Sequence, residues 1–445
     1  MFQSRKERTP NPNGRKVKVA ESAPRPYMKE ICVRGFKSLR DVTMRPGRLN
    51  LLIGTNASGK SNFVEVLRVL NGLGRGLTID EIFNEPSERP GQGPMVPVRG
   101  GTSQAVSKPK KTSKSGNGNG RIHLDVSFSG LPRGDYGYHV DMDVIRKQIG
   151  EENGTVAMQS IWNAEIKQEM RNGMKMTISE SSLHTLHGLM AEHGFLDRSR
   201  LVGLAQALKN IPVKKKQDEK LQPLSTQEDY FDTIVDILGK IQILDPVPSI
   251  VKKYAKKRMT SLLGEFGENF SAVVSFILEE NRPEFESWLR ELTPREFDGV
   301  DVKPGASDDL LFVVKEKGGT YPADTLSDGT LRFAALAAAL FQEPMPSVMA
   351  IEEIENGIHP TRLRLMVELL RAMSQESQVF ATTHSPLVLA WLKPEEYKST
   401  FIFKRNEEDG STQVKALTDL PDFSKIIKKR SIIDLALEGW PEIAF

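Results

Sequence analysis

Gly54-Thr55-Asn56-Ala57-Ser58-Gly59-Lys60-Ser61 sets a glycine-bounded loop before a lysine and a hydroxyl. That pattern suits phosphate chemistry. The glycines let the backbone wrap closely, so the N–H groups from Asn56 to Gly59 face an anion. Lys60 would reach the β and γ phosphates, and Ser61 would ligate Mg2+. Asn62 opens a helix whose N-terminal end adds positive potential. The flanks match what the motif needs. Leu49 to Ile53 is an apolar strand run, and Phe63, Val66, Leu67 and Leu70 recur at helical spacing. A glycine–serine turn before a helix is the plainer reading; strand, full motif and helix together favour the nucleotide loop.

Three later segments add chemistry. Leu326-Ser327-Asp328-Gly329-Thr330-Leu331-Arg332 precedes an alanine-rich helix predicted over Phe333 to Phe341. Ser327 and the backbone at Gly329 then sit at a helix N-terminus, a second anion-binding geometry. Val348 to Ile351 is a buried-type strand that ends in Glu352-Glu353. One carboxylate there would hold Mg2+, and the other would act on an attacking water. Val379 to Thr383 is a strand that ends at His384, placed to hydrogen-bond a γ-phosphate. Each segment alone has a plain alternative: a helix cap, a solvated pair of glutamates, a structural histidine.

These groups need elements to position them. The 445 residues suffice for two or three domains and a large core. Net charge is +3, so nothing global demands a polyanion. Cys32 is the single cysteine, which excludes an internal disulfide and a cysteine-based zinc site and fits a reducing cytoplasm. There is no apolar run of bilayer-spanning length, and no secretory h-region. Residues 1–27 read as a basic, disordered tail. Residues 28–180 read as the N-terminal part of a nucleotide-binding head, with a mobile loop at 84–120 and alternating strands from Arg121 to Ile178. Asp141 and Asp143 lie on one strand; the solvent face is favoured over a metal pair. Residues 181–295 read as a helical insertion, and 296–445 as the rest of the head. Lys252, Lys253, Lys256, Lys257 and Arg258 cluster on an expected helix, where they permit nucleic-acid contact. Lys108, Lys110, Lys111 and Lys114 in the loop permit the same. The end of the chain, with Trp440, Ile443 and Phe445, either docks a partner or closes the fold; closure is favoured.

The motif set resembles the ABC-type ATPase heads of the RecF, structural-maintenance-of-chromosomes and OLD-like group. It is most similar to stand-alone AAA-family ATP-binding proteins. The likeness rests on Ile31 to Leu39, Gly54 to Asn62, Leu326 to Arg332, Ile351 to Pro360 and Thr382 to Pro386, and covers residues 28–80 and 260–395. It implies an α/β head with an antiparallel β layer and an inserted, mainly helical subdomain. It implies ATP and Mg2+ as ligands, with Ser61 and Glu352 at the metal, Glu353 as catalytic base and His384 as switch. Lys37 and Ser38 match a turn near the nucleotide, and Ser327 and Gly329 a signature that completes a second subunit's site. The chain departs from the common pattern at Glu352, where aspartate is usual, and at Asp328 and Thr330, where glycine and glutamine are usual. Gln92, Gln104 and Gln159 are the candidates for a further conserved-type glutamine, with none singled out.

In such heads ATP joins two copies, which implies a homodimer or higher homo-oligomer. OLD-type relatives append a TOPRIM nuclease after the histidine. Only about 60 residues follow His384 here, without the spaced acidic pattern of that domain. A separate nuclease or TOPRIM-like effector, as in prokaryotic anti-phage defence, is the leading biological expectation. The rivals are a RecF-like repair ATPase that binds DNA directly and an ATP-bound scaffold with little turnover.

Overall fold

A computed structural model describes residues 25–89, 93–107, 120–131, 134–152, 155–169, 175–179, 233–257, 261–292, 296–439 and 445. Its strands are β1 (Tyr27–Phe36), β2 (Leu39–Met44), β3 (Leu49–Ile53), β4 (Ser87–Arg89), β5 (Gly93–Met95), β6 (Gly120–Leu131), β7 (Gly134–Glu152), β8 (Thr155–Glu169) and β9 (Lys175–Ser179). They continue with β10 (Ile241–Leu244), β11 (Ala255–Lys256), β12 (Phe297–Pro304), β13 (Asp309–Glu316), β14 (Gly319–Pro322), β15 (Val348–Ile351), β16 (Gln378–Thr383), β17 (Thr400–Arg405) and β18 (Thr412–Ala416).

The fold is α/β, as expected. One sheet runs β10-β15-β16-β3-β17-β18, parallel through β17 and closed by the antiparallel β18. Its inner strands are buried on both faces, which explains why they read as near-continuous apolar runs. Alternate side chains feed two cores. Leu49, Leu51, Ile53, Met349, Ile351, Val379 and Ala381 enter one, which also packs the helices Asp328–Ala339 and Leu363–Met373. Leu52, Val348, Ala350 and Phe380 enter the other, shared with the helix Lys60–Gly74 and the antiparallel layer. That layer has the order β2-β1-β6-β7-β8-β9.

The consequence for the site is positional. β3, β15 and β16 are adjacent and parallel, so the segments after Ile53, Ile351 and Thr383 leave at one edge of the sheet. In such sheets ligands bind beyond the carboxyl ends of the strands. The β1–β2 turn at Lys37-Ser38 reaches the same edge. There Ser38 O accepts from Thr412 N at 2.8 Å, joining the two sheets.

Several expectations need correction. Within the stretch read as a loop, residues 84–107 carry β4, β5 and the helix Gly101–Ala105, with Met95, Val98 and Ala105 buried; residues 108–119 lie outside those described. Proline and glycine hid a segment that folds against the helix Lys60–Gly74 and the end of β1. Within the stretch read as a helical insertion, β10 pairs in parallel with β15. A four-residue apolar run cannot be told from buried helix by periodicity. Residues 181–232, 258–260 and 293–295 of that stretch lie outside those described. The basic cluster is not on a helix: Pro248–Val251 is one short turn, and Ala255–Lys256 is a strand. Arg258 and the tail residues 1–24 lie outside the described residues, as do the side chains of Asp141 and Asp143. At the other end, Ile432 and Leu435 are buried and Lys415 Nζ donates to Phe445 O at 2.8 Å, so these residues close on the fold; Trp440 and Ile443 lie outside the described residues. No helix among the described residues is long and apolar enough to cross a membrane.

Candidate nucleotide-binding site

The phosphate loop turns directly off β3. Gly54 is buried, Thr55, Asn56 and Ala57 are exposed, and Ser58, Gly59 and Lys60 are buried again. Ala57 and Gly59 hold left-handed φ values of 62° and 105°. At Gly59 the requirement is double. A Cβ would lie 2.0 Å from Thr412 Oγ1, and φ itself disfavours an L side chain. Lys60 Nζ donates to the carbonyls of Gly54 at 2.6 Å and Thr55 at 2.9 Å, so the ammonium lies within its own loop. The outer face of the loop borders a cleft of about 680 Å³, whose far wall is the β17–β18 hairpin from Phe403 to Gly410.

A hydroxyl chain braces the loop. Asn62 Nδ2 donates to Ser38 Oγ at 2.6 Å, Ser38 Oγ meets Thr412 Oγ1 at 2.7 Å, and Thr412 Oγ1 donates to Ser58 O at 2.9 Å. Ser58 Oγ is buried with no hydrogen-bond partner. Such an orphan hydroxyl is an unmet donor beside an anion loop. Sequence reasoning found Ser38 and Asn62 but missed Thr412, which lies 354 residues from Ser58 and has no motif to mark it.

The metal pair is assembled. The Ser61 hydroxyl lies near enough to the Glu352 carboxylate to favour its charged form. Glu352 is 5% exposed, and burial pushes its carboxyl above the ordinary glutamate range, with Arg99 and Ser61 pulling the other way. A hydroxyl and a buried carboxylate form a hard oxygen set that fits Mg2+. The extra methylene of a glutamate does not keep Glu352 from Ser61.

The next residue, Glu353, has φ 48°, a left-handed value that costs roughly 1–3 kcal/mol for a non-glycine residue. The surroundings enforce it. Glu353 N donates to Thr382 Oγ1 at 2.9 Å, and Arg332 Nη2 donates to the carbonyls of Glu352 at 2.6 Å and Glu353 at 3.3 Å. The Glu353 carboxylate is exposed and touched by Asn356 Nδ2 at 3.4 Å. His384 is exposed too. Its Nδ1 lies 2.6 Å from Glu355 Oε1, and that same oxygen accepts from His384 N at 2.6 Å. The Glu355 contact holds the ring through Nδ1 and leaves Nε2 out of that bond.

The β1–β2 turn departs from expectation in detail. Lys37, at φ 49°, bonds the buried Glu65 carboxylate and the Arg99 carbonyl, the latter at 2.6 Å. Arg99 in turn meets Glu65 Oε1 at 3.0 Å and Glu352 Oε1 at 2.7 Å. Neither Glu65 nor Arg99 carried a sequence signal. Of the glutamine candidates, Gln92 and the side chain of Gln159 lie outside the described residues, and Gln104 is exposed on the helix Gly101–Ala105. The residue this segment brings to Glu352 is Arg99.

Ser327 and Gly329 lie at the start of the helix Asp328–Ala339, on a different element from the phosphate loop. Ser327 is exposed, and its hydroxyl accepts from Thr330 N at 3.2 Å and meets Thr330 Oγ1 at 2.8 Å, both within its own helix start. At Gly329 a Cβ would lie 2.2 Å from the Gly357 carbonyl oxygen, so this glycine serves close packing against the turn after Glu353. Arg332 joins the same helix to the ends of β10 and β15 through Asp245 at 2.9 Å and Pro246 O at 2.6 Å.

Among solved structures, the chain is similar to a Smc head bound to the C-winged helix domain of ScpA, at 15% identity over 87% of this chain and 97% of that one, with TM-score 0.47. It is also similar to a Smc head with an extended coiled coil from Pyrococcus furiosus, bound to the C-terminal domain of ScpA (14%; 91% and 100%; TM-score 0.46). A third similar structure is the SMC head domain from Thermotoga maritima (13%; 87% and 98%; TM-score 0.36). No curated protein matches the chain. Residues 203–390 match the family described as "AAA domain, putative AbiEii toxin, Type IV TA system", a stretch that holds Ser327, Gly329, Glu352, Glu353 and His384 but not the phosphate loop.

Proposed function

We propose that the chain is an ATPase of ABC type, whose nucleotide state controls the association of two copies. The observation that carries this reading is the meeting of three strand ends: the phosphate loop after β3, the Ser61–Glu352 pair after β15, and His384 after β16. Lys60 would leave the Gly54 and Thr55 carbonyls for the ATP phosphates, and the loop N–H groups would bind the same oxygens. Mg2+ held by Ser61 and Glu352 would neutralise phosphate charge. Glu353 would accept a proton from the attacking water, and His384 would hydrogen-bond the γ-phosphate from the end of β16. Ser327 would act on the ATP of a second copy, which fits a hydroxyl that is exposed and bonded only within its own helix start. Loss of the γ-phosphate would then weaken that contact, a two-state assembly switch.

The biological setting we favour is a sensor or scaffold subunit that works with a separate nuclease effector in anti-phage defence. The support is the toxin–antitoxin description of the matched family and the resemblance of the motifs to ATPase partners of such effectors. One observation favours the lower-turnover scaffold as second reading: Arg99 sits on the carboxylate that should hold Mg2+. Light scattering of Glu353→Gln tests the switch. With Mg2+ and ATP its mass should double, and the Lys60→Ala protein should not respond. Equal mass with and without ATP in a monomeric protein would remove the switch. Phosphate release at background rate with nucleotide retained would select the scaffold.

A further inference from the structure

Four charged groups form a line across the site: Lys37, Glu65, Arg99 and Glu352. Their exposures differ sharply. The Glu65 and Glu352 side chains are 2% and 7% exposed, whereas that of Arg99 is 61% exposed. A buried carboxylate left charged without a counter-charge is costly, so Glu352 stays ionised here only with a cation beside it. In this structure the cation is a guanidinium that arrives from the solvent side.

The backbone around Arg99 is held independently of that contact. Arg68 Nη1 donates to Val96 O at 3.1 Å, Val98 N to Ile82 O at 2.9 Å, and Arg99 N to Glu65 Oε1 at 3.1 Å, while Arg99 O accepts from Lys37 Nζ at 2.6 Å. The guanidinium can therefore swing by side-chain rotation with its backbone in place. Its departure would not strand Glu65, which keeps Lys37. Only Glu352 would then need a new cation.

We infer that Arg99 is a positioning residue of the metal site: it holds Glu352 beside Ser61 in the nucleotide-free chain as a counter-charge that a divalent cation must displace. This rests on the proposed role of Ser61 and Glu352. A structural ion pair would stabilise the fold and leave metal affinity alone. A displaceable counter-charge weakens metal binding, and a neutral replacement strengthens it. With a unit charge a few ångströms away and half in solvent, the expected gain is about fivefold or more.

The test titrates Mn2+ alone into nucleotide-free protein and reads the free-ion signal by electron paramagnetic resonance. Arg99→Gln should bind Mn2+ about fivefold or more tightly than the parent, and Arg99→Lys should stay near the parent because it keeps a charge. Adding Glu352→Gln to Arg99→Gln should abolish the gain. Equal or weaker binding by Arg99→Gln, no Mn2+ binding by any variant, or a gain that survives Glu352→Gln would overturn the inference. A parallel titration with ATP separates the two claims. If Mn2+ behaves as expected but no variant binds ATP, the ATPase reading fails and the Arg99 role stands.

Discussion

Two helices in this chain have a serine and a glycine at their starts, and those starts are finished differently. The one at Lys60 is enclosed: Ser58, Gly59 and Lys60 are buried, Thr412 closes over Gly59, and Ser38, Asn62 and Thr412 link hydroxyl to hydroxyl around it. The one at Asp328 is open. Ser327 is exposed and its hydroxyl bonds only within its own turn. On the proposed reading, the braced start serves this copy's own nucleotide and the open one the nucleotide of a second copy. The two are nevertheless coupled, because Arg332 ties the open helix to the carbonyls of Glu352 and Glu353.

Variants at the two starts should therefore separate binding from assembly. Lys60→Ala removes charge-assisted contacts to phosphate and should lower ATP affinity on the order of 100-fold by calorimetry. Ser327→Ala should leave the affinity of the isolated copy within about twofold and abolish ATP-driven doubling of mass; a comparable loss of affinity would erase the distinction. For stability, Gly59→Ala should cost about 3 kcal/mol by urea unfolding, since it adds both strain at φ 105° and overlap with Thr412. Gly329→Ala, which meets only the Gly357 carbonyl, should cost about 1–3 kcal/mol. Ser327→Ala should cost about 1 kcal/mol through loss of the cap.

The smallest effect lies away from both starts. Burial pushes the Glu396 carboxyl up, but the hydrogen bonds from Arg371 at 2.7 and 3.0 Å, the bond from Lys393 N at 2.8 Å and the charges of both residues together outweigh that and hold it below the usual range. A depressed carboxylate adds stability above its unfolded value and loses it as pH falls through the folded one. Glu396→Gln should flatten the loss of stability on acidification in urea melts while ATP affinity stays unchanged. A steeper acid response would contradict the sign.

Much of this arrangement was legible in the sequence because it is local. The phosphate loop, the strand ending in Glu352 and Glu353, and the strand ending at His384 each combine an apolar run with polar groups at its end. The fold class follows from those runs and from the alternation around β6. What escaped was contact across the chain. Arg99 reaches Glu352 over 253 residues and Thr412 reaches Ser58 over 354, from positions with no periodicity or spacing to mark them. β10 was hidden for a related reason: four apolar residues become a strand only because β15 lies beside them. The approach of Gly329 to the Gly357 carbonyl is likewise a contact that no local pattern marks.

The claim that one site needs two copies is open to a single mixing experiment. Lys60→Ala and Ser327→Arg are each expected to abolish phosphate release. Mixed in equal amounts, they can form a pair in which one site carries an intact Lys60 from one copy and an intact Ser327 from the other. A composite site predicts that phosphate release returns on mixing, to about a quarter of the parent rate if copies pair at random and the sites act independently. Release that stays at background in a mixture shown by mass to contain the mixed pair would contradict it.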